Sequence, residues 1–99
     1  MPTDIARIVL EDNRDGRLVV DISPRGLYFH VKVYCWGAHK LREYRHKFDA
    51  YLEMFKDVGY TEARATPVTS NVRAIKLIKL FGFHEVRNEH GFTLMERTL

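Results

Sequence analysis

The chain has 99 residues, enough for one modest core and no second domain. Hydrophobic residues make up 45% and charged residues 29%, ordinary values that exclude wholesale disorder and collagen-like repeats. The net charge of +3 is too mild to indicate a nucleic-acid partner by itself, so local clustering must carry any such argument.

Residues 5–10 read as a strand, β-branched and without breakers. Residues 11–16 follow as a turn, because Asp15-Gly16 tolerates positive φ. Residues 17–22 read as the returning strand, and Ser23-Pro24-Arg25-Gly26 as a second turn. A longer strand is expected over residues 27–36. Leu27, Phe29, Val31, Val33 and Cys35 share one face, while Tyr28, His30, Lys32, Tyr34 and Trp36 share the other. The aromatic end of the second face suggests cover there too. The three strands are expected to form an antiparallel meander.

Gly37 marks a break, and the period then changes. Over residues 38–58, Leu41, Tyr44, Phe48, Tyr51, Leu52 and Phe55 recur at helical spacing, with Gly59 placed to cap the C-terminus. Residues 61–68 read as a strand that Pro67 weakens. Asn71 can cap a second helix that buries Ala74, Ile75, Leu77, Ile78 and Phe81 and ends at Gly82. Residues 83–87 and 92–97 read as two closing strands around a turn at 88–91. The order β-β-β-α-β-α-β-β makes residues 1–99 a single mixed α/β domain.

The stretch 71–83, NVRAIKLIKLFGF, resembles the pattern N-x-x-A-x-x-L-x-x-x-x-G-F of the GCN5-related N-acetyltransferase (GNAT) superfamily. Asn71, Ala74, Leu77, Gly82 and Phe83 are in register with it. Gly59 stands 12 positions before Asn71, where the family ends its central helix. By motif the resemblance covers residues 59–86. By element order it covers residues 5–99. Each residue also has a local reason: Asn71 caps, Ala74 allows close helix approach, Gly82 turns the chain and Phe83 enters the core.

The resemblance implies a domain that uses acetyl-CoA to acetylate an amine. In the family, pantetheine runs between two splayed strands. That implies main-chain contacts from Val33, Tyr34 and Cys35, with Asn71 near the cofactor arm. The family's phosphate cradle, R/Q-x-x-G-x-G/A, falls on residues 39–44, where Arg42 and Tyr44 replace small residues. The family's thiolate-protonating Tyr falls on Ile78, which has no proton to give. The elements that usually shape the acceptor site before the meander have no counterpart in the roughly four residues ahead of the first strand. That half is expected to be absent or supplied by another chain.

His39, Lys40, Arg42, Arg45, His46 and Lys47 crowd the start of the long helix. Cations there oppose the helix dipole, which makes an anionic partner attractive. The cofactor-binding set is therefore Val33, Tyr34, Cys35, His39, Lys40, Arg42, Arg45 and Asn71. Two other readings stay open: a polyanion site with Tyr34 and Trp36 as stacking groups, and a solvated helix face balanced by Glu43 and Asp49.

Cys35 is the single cysteine. It fits a buried structural thiol and a reducing compartment. His30, Asp21 and Glu11 are candidate bases without a visible partner in the sequence. His84 and His90 lack the spacing of a zinc site, and no metal is expected. No apolar run reaches the roughly 20 residues of a membrane span, and Met-Pro-Thr-Asp opens no signal-peptide pattern. A cytoplasmic protein is expected. Poorly protected edges at residues 5–10 and 92–97 point to a homodimer or a firm partner. Two functions follow: an acetyl-CoA-dependent N-acetyltransferase, or a non-catalytic GNAT-fold module of a larger assembly.

Overall fold

The structure is a computed structural model and describes residues 6–99. Ile5, assigned above to the first strand, lies outside the described residues. The elements are β1 (Ala6–Asp12), β2 (Gly16–Ser23), β3 (Gly26–Val33), α1 (Ala38–Val58), β4 (Glu62–Ala65), α2 (Val72–Leu80), β5 (His84–Glu89) and β6 (Phe92–Thr98). This is the order read from the sequence. The strands form one six-stranded sheet in the order β1-β2-β3-β4-β6-β5. β3 and β4 are parallel and the other pairs antiparallel. A parallel pair needs a crossover, and α1 supplies it.

The meander forms because its turns are chemically specified. Asn13 Oδ1 accepts from the Asp15 and Gly16 amides at 2.8 and 3.3 Å, the Asx pattern that substitutes a side chain for a backbone turn. Ser23 Oγ accepts from the Arg25 amide at 3.1 Å. Register then sends Leu18, Val20, Leu27 and Phe29 to one face, where they join Ala63, Ala65 and Met95 in the core.

Both helices bury their apolar stripes on that face. α1 contributes Phe48, Leu52 and Phe55, and α2 contributes Ile75, Leu77 and Ile78. Phe48 is the hub: its ring lies 5.1 Å from Phe29, 4.9 Å from Phe81 and 5.7 Å from Phe83. Gly59 ends α1 in the left-handed region at φ 114° and donates to Lys56 and Phe55 carbonyls, a conformation glycine adopts without steric cost. The opposite sheet face carries Arg7, Arg17, Asp21, His30, Lys32 and Arg64, and no helix covers it among the described residues.

Three expectations need correction. The long strand ends at Val33, not at residue 36. The Tyr34 amide donates to Asp15 O at 2.9 Å in register with β2, and the Cys35 amide shares that acceptor at 3.2 Å, which ends the ladder beside the β1–β2 turn. Tyr34 and Trp36 are consequently 57% and 37% exposed rather than covered. The fourth strand spans Glu62–Ala65 only. Beyond it the chain follows β6, with Thr93 N donating to Pro67 O at 2.9 Å and Val68 bridged to Phe92. Finally, β6 is internal, between β4 and β5, so the second edge belongs to β5.

Candidate functional site

The feature that organises the site is a break between β3 and β4. The two strands pair only at Leu27 with Ala63 and Tyr28 with Arg64. Past these pairs β3 continues straight to Val33 while residues 66–68 turn away beside β6. Among the described residues the β3 main chain beyond Tyr28 has no strand partner on that side. Its free N–H and C=O groups are open to an extended ligand.

The gap is a cleft of about 280 Å³. From the helix face it is lined by Phe29, Val31, Ala74 and Ile78, and from the open face by Arg17, Val19, His30 and Lys32. It therefore runs through the plane of the sheet. A second cleft of about 270 Å³ adjoins it, sharing Val31, Lys32, Asn71 and Ala74 and adding Val33, Tyr34, Trp36 and Arg73. Arg73 lies over the Trp36 ring at 4.0 Å from its centroid, a cation–π contact across the mouth.

His30 meets a partner that sequence reading missed. Its Nε2 lies 2.9 Å from Asp21 Oδ2. Arg7 donates to the same carboxylate through Nε at 2.7 Å and Nη2 at 2.8 Å. The Arg7 hydrogen bond, then that of His30, holds the Asp21 carboxyl down at about 2. The Asp21 carboxylate faces Nε2, so Nδ1 is the ring nitrogen that it does not engage. The three residues come from three neighbouring strands. Their meeting is a matter of register, which spacing along the chain does not reveal.

The predicted binding residues divide into two groups. Val33, Tyr34 and Asn71 line the clefts. Asn71 also caps α2, its Oδ1 accepting from the Ala74 amide at 3.1 Å. Cys35 has left the strand and is half-buried, with Sγ 3.8 Å from Arg14 O.

The basic start of α1 is not one cluster. Lys40 Nζ donates to Asp15 Oδ2 at 3.2 Å, which lowers the Asp15 carboxyl and raises the Lys40 ammonium. Arg45 turns to Asp49 at 3.2 Å and to the Leu80 carbonyl at the far end of α2. Lys47 pairs with Glu11 at 3.2 Å. These ion pairs tie Lys40, Arg45 and Lys47 to carboxylates of the fold, so the basic run does not form a single cluster. His39 and Arg42 are exposed.

Tyr44 lies beyond the first turn and donates to Cys35 O at 2.8 Å, and Arg42 also follows that turn. The residues at the helix start are Gly37 and Ala38. The first helical bond runs from Leu41 N to Gly37 O at 2.8 Å, so the Ala38, His39 and Lys40 amides lack intrahelical acceptors. Gly37 sits at φ 141°, with open space where a Cβ would be. Small residues and free amides at this end fit an anionic group better than the sequence alignment implied.

No family model matches the chain, and no curated protein matches it. Among solved structures it is similar to a domain from Methanocaldococcus jannaschii DSM 2661. The likeness has 24% identity and a TM-score of 0.67, over 94% of this chain and 67% of that one. At that identity it shows the fold alone, a mixed α/β domain. No helix is long and apolar enough to cross a membrane, among the described residues.

Proposed function

We propose that the protein is an acetyl-CoA-dependent N-acetyltransferase of the GNAT type. The observation that carries this reading is the cleft through the sheet, opened where parallel strands β3 and β4 part after two residue pairs. The motif resemblance at 71–83 and the free amides at the start of α1 support it. Acetyl-CoA would bring the activated acetyl group. The protein's own part is binding and proton handling. The Ala38, His39 and Lys40 amides would take the pyrophosphate, and the unpaired β3 main chain around Val31–Val33 would hold the pantetheine arm. His30 Nδ1 would remove the proton from the acceptor ammonium, with Asp21 fixing the ring. The amine nitrogen then bonds to the acetyl carbon as the C–S bond breaks, and the proton that the nitrogen sheds on becoming an amide passes through water to the departing thiolate. Holding amine and thioester together supplies much of the rate.

One observation favours the second reading, a non-catalytic GNAT-fold module. Ile78 forms part of the cleft wall and offers no acid. Calorimetric titration with CoA, followed by a thiol-release assay with acetyl-CoA and an amine panel, separates the two. Binding with turnover supports the enzyme, binding without turnover supports the non-catalytic module, and no CoA binding at millimolar ligand removes the enzyme and leaves the module. A reducing, cytoplasmic setting with a single free thiol fits either.

A further inference from the structure

The open-face half of the cleft holds an electrostatic conflict that the transfer reaction does not explain. Arg17 on β2 and Lys32 on β3 are directly opposite in the antiparallel ladder. Both side chains belong to the open face and both residues line the cleft. Like charges placed directly across a ladder destabilise it. Arg17 has only partial relief, from Asp12 at 3.9 Å, too long for a hydrogen bond. Lys32 has no ion-pair partner among the described residues, although most other cations of this sheet and of α1 do have one. His30, two residues from Lys32 on the same face, adds a third nitrogen group. No Asp or Glu lines the cleft, and Asp21 is taken by Arg7 and His30.

We propose that the acceptor is an amine bearing its own anionic group, a carboxylate or phosphate, which sits between Arg17 and Lys32. This rests on reading the cleft as a transferase site. An anion there pairs with both cations at once and removes their repulsion. The amine end of the same molecule is then presented to His30 Nδ1. The remaining lining on this side, Val19, Pro67 and Val68, is apolar and suits a short carbon linker. The same surface rejects a diamine, whose second ammonium would face Arg17 and Lys32 with no carboxylate to receive it.

The test uses four amines on one three-carbon skeleton: 3-aminopropanoate, 3-aminopropyl phosphate, propylamine and 1,3-diaminopropane. Binding is read by amide NMR on the full chain without acetyl-CoA, and transfer separately by CoA release. At least one anionic amine is expected to bind about tenfold or more tighter than the diamine. It should shift the Arg17, His30 and Lys32 amides. The ranking of carboxylate against phosphate identifies the anion. Lys32→Glu, an exposed substitution, is expected to abolish or reverse the preference, and Lys32→Arg to keep it. Equal or tighter diamine binding, no anionic amine bound, or an unchanged preference in Lys32→Glu overturns the proposal. An anion preference that depends on Lys32, without CoA release, leaves the anion seat standing and removes the transferase reading instead.

Discussion

Asp21 Oδ2 and His30 Nε2 lie 2.9 Å apart across β2 and β3, with Arg7 gripping the same carboxylate from β1. This row ties three strands together and sets the imidazole at the cleft. Its pH signature has a definite sign. The Asp21 carboxyl is held from its ordinary 3.8 down to about 2, so its contribution is present above the unfolded value. It is lost as pH falls through about 2. Asp21→Asn is expected to lower stability at neutral pH and to flatten the acid limb between these two values. Denaturant melts at a series of acid pH values check it. An unchanged acid limb would mean that the row adds nothing to folding.

The same row predicts a kinetic split. On the transferase proposal, His30→Ala is expected to lower kcat by about a hundredfold or more, as loss of a general base does, with CoA affinity unchanged. Asp21→Asn is expected to fall between it and the native chain. Steady-state rates beside calorimetric CoA titration provide both numbers. A matched loss of CoA affinity in His30→Ala would place the residue in cofactor binding rather than proton transfer.

A third prediction concerns the start of α1. Gly37→Ala adds a Cβ at φ 141°, where nothing of the protein lies within 4 Å. Its effect on folding is backbone strain of roughly 1 kcal/mol or more. Its effect on CoA is larger if the phosphates seat there, about tenfold weaker binding. Arg45→Ala is expected to leave CoA affinity alone and to destabilise, because Arg45 serves Asp49 and the Leu80 carbonyl. The reverse pattern, with Arg45→Ala weakening CoA and Gly37→Ala silent, would restore the side-chain binding read from the sequence.

α1 was legible to the residue, because a strict apolar stripe met Gly59 at its end. Asn71 was legible as a cap because its side chain acts locally. Tyr34 and Trp36 misled because their alternation continues after the main chain has left the ladder. The end of the ladder is held by the Asp15 carbonyl, 19 residues upstream of Tyr34, and by the Tyr44 hydroxyl on α1. The pairing of His30 with Asp21, the break after Tyr28 and the internal place of β6 are all products of register and strand order. A one-dimensional period carries none of them. Two cations of the basic run at the start of α1, Lys40 and Lys47, have their carboxylate partners, Asp15 and Glu11, on the distant hairpin, where spacing along the chain does not show them.

Two stability predictions bracket the core and the cap. Phe48 is 2% exposed and meets the rings of Phe29, Phe81 and Phe83. Phe48→Ala removes the hub of that cluster and is expected to cost about 3–5 kcal/mol, a large share of a small domain's stability. Asn71→Ala removes one bond to the Ala74 amide and is expected to cost about 1 kcal/mol with the fold retained. Urea melts order the two. A cap loss exceeding the Phe48 loss would mean that α2 is held mainly from its end.

The last prediction concerns self-association through β1. One edge of the sheet is β1, where Ile8 and Val9 are 42% and 47% exposed. The other is β5, whose residues are all exposed and which carries His84, Glu85, Arg87 and Glu89. Charged side chains along an edge discourage strand addition, whereas adjacent apolar residues invite it. β5 carries charge along its length, whereas β1 carries its charges, Arg7, Glu11 and Asp12, on either side of the apolar run Ile8-Val9-Leu10, with a bulge between Val9 and Glu11. A two-fold pairing of β1 with its copy would satisfy both sets of free backbone groups and cover Ile8 and Val9 together. Sedimentation equilibrium at micromolar concentration is expected to show a concentration-dependent dimer. Val9→Lys, on the exposed edge, is expected to shift it to monomer with the melting midpoint at low concentration little changed. A single monomeric species at all concentrations would leave β1 as a solitary edge and confine the proposed site to one chain.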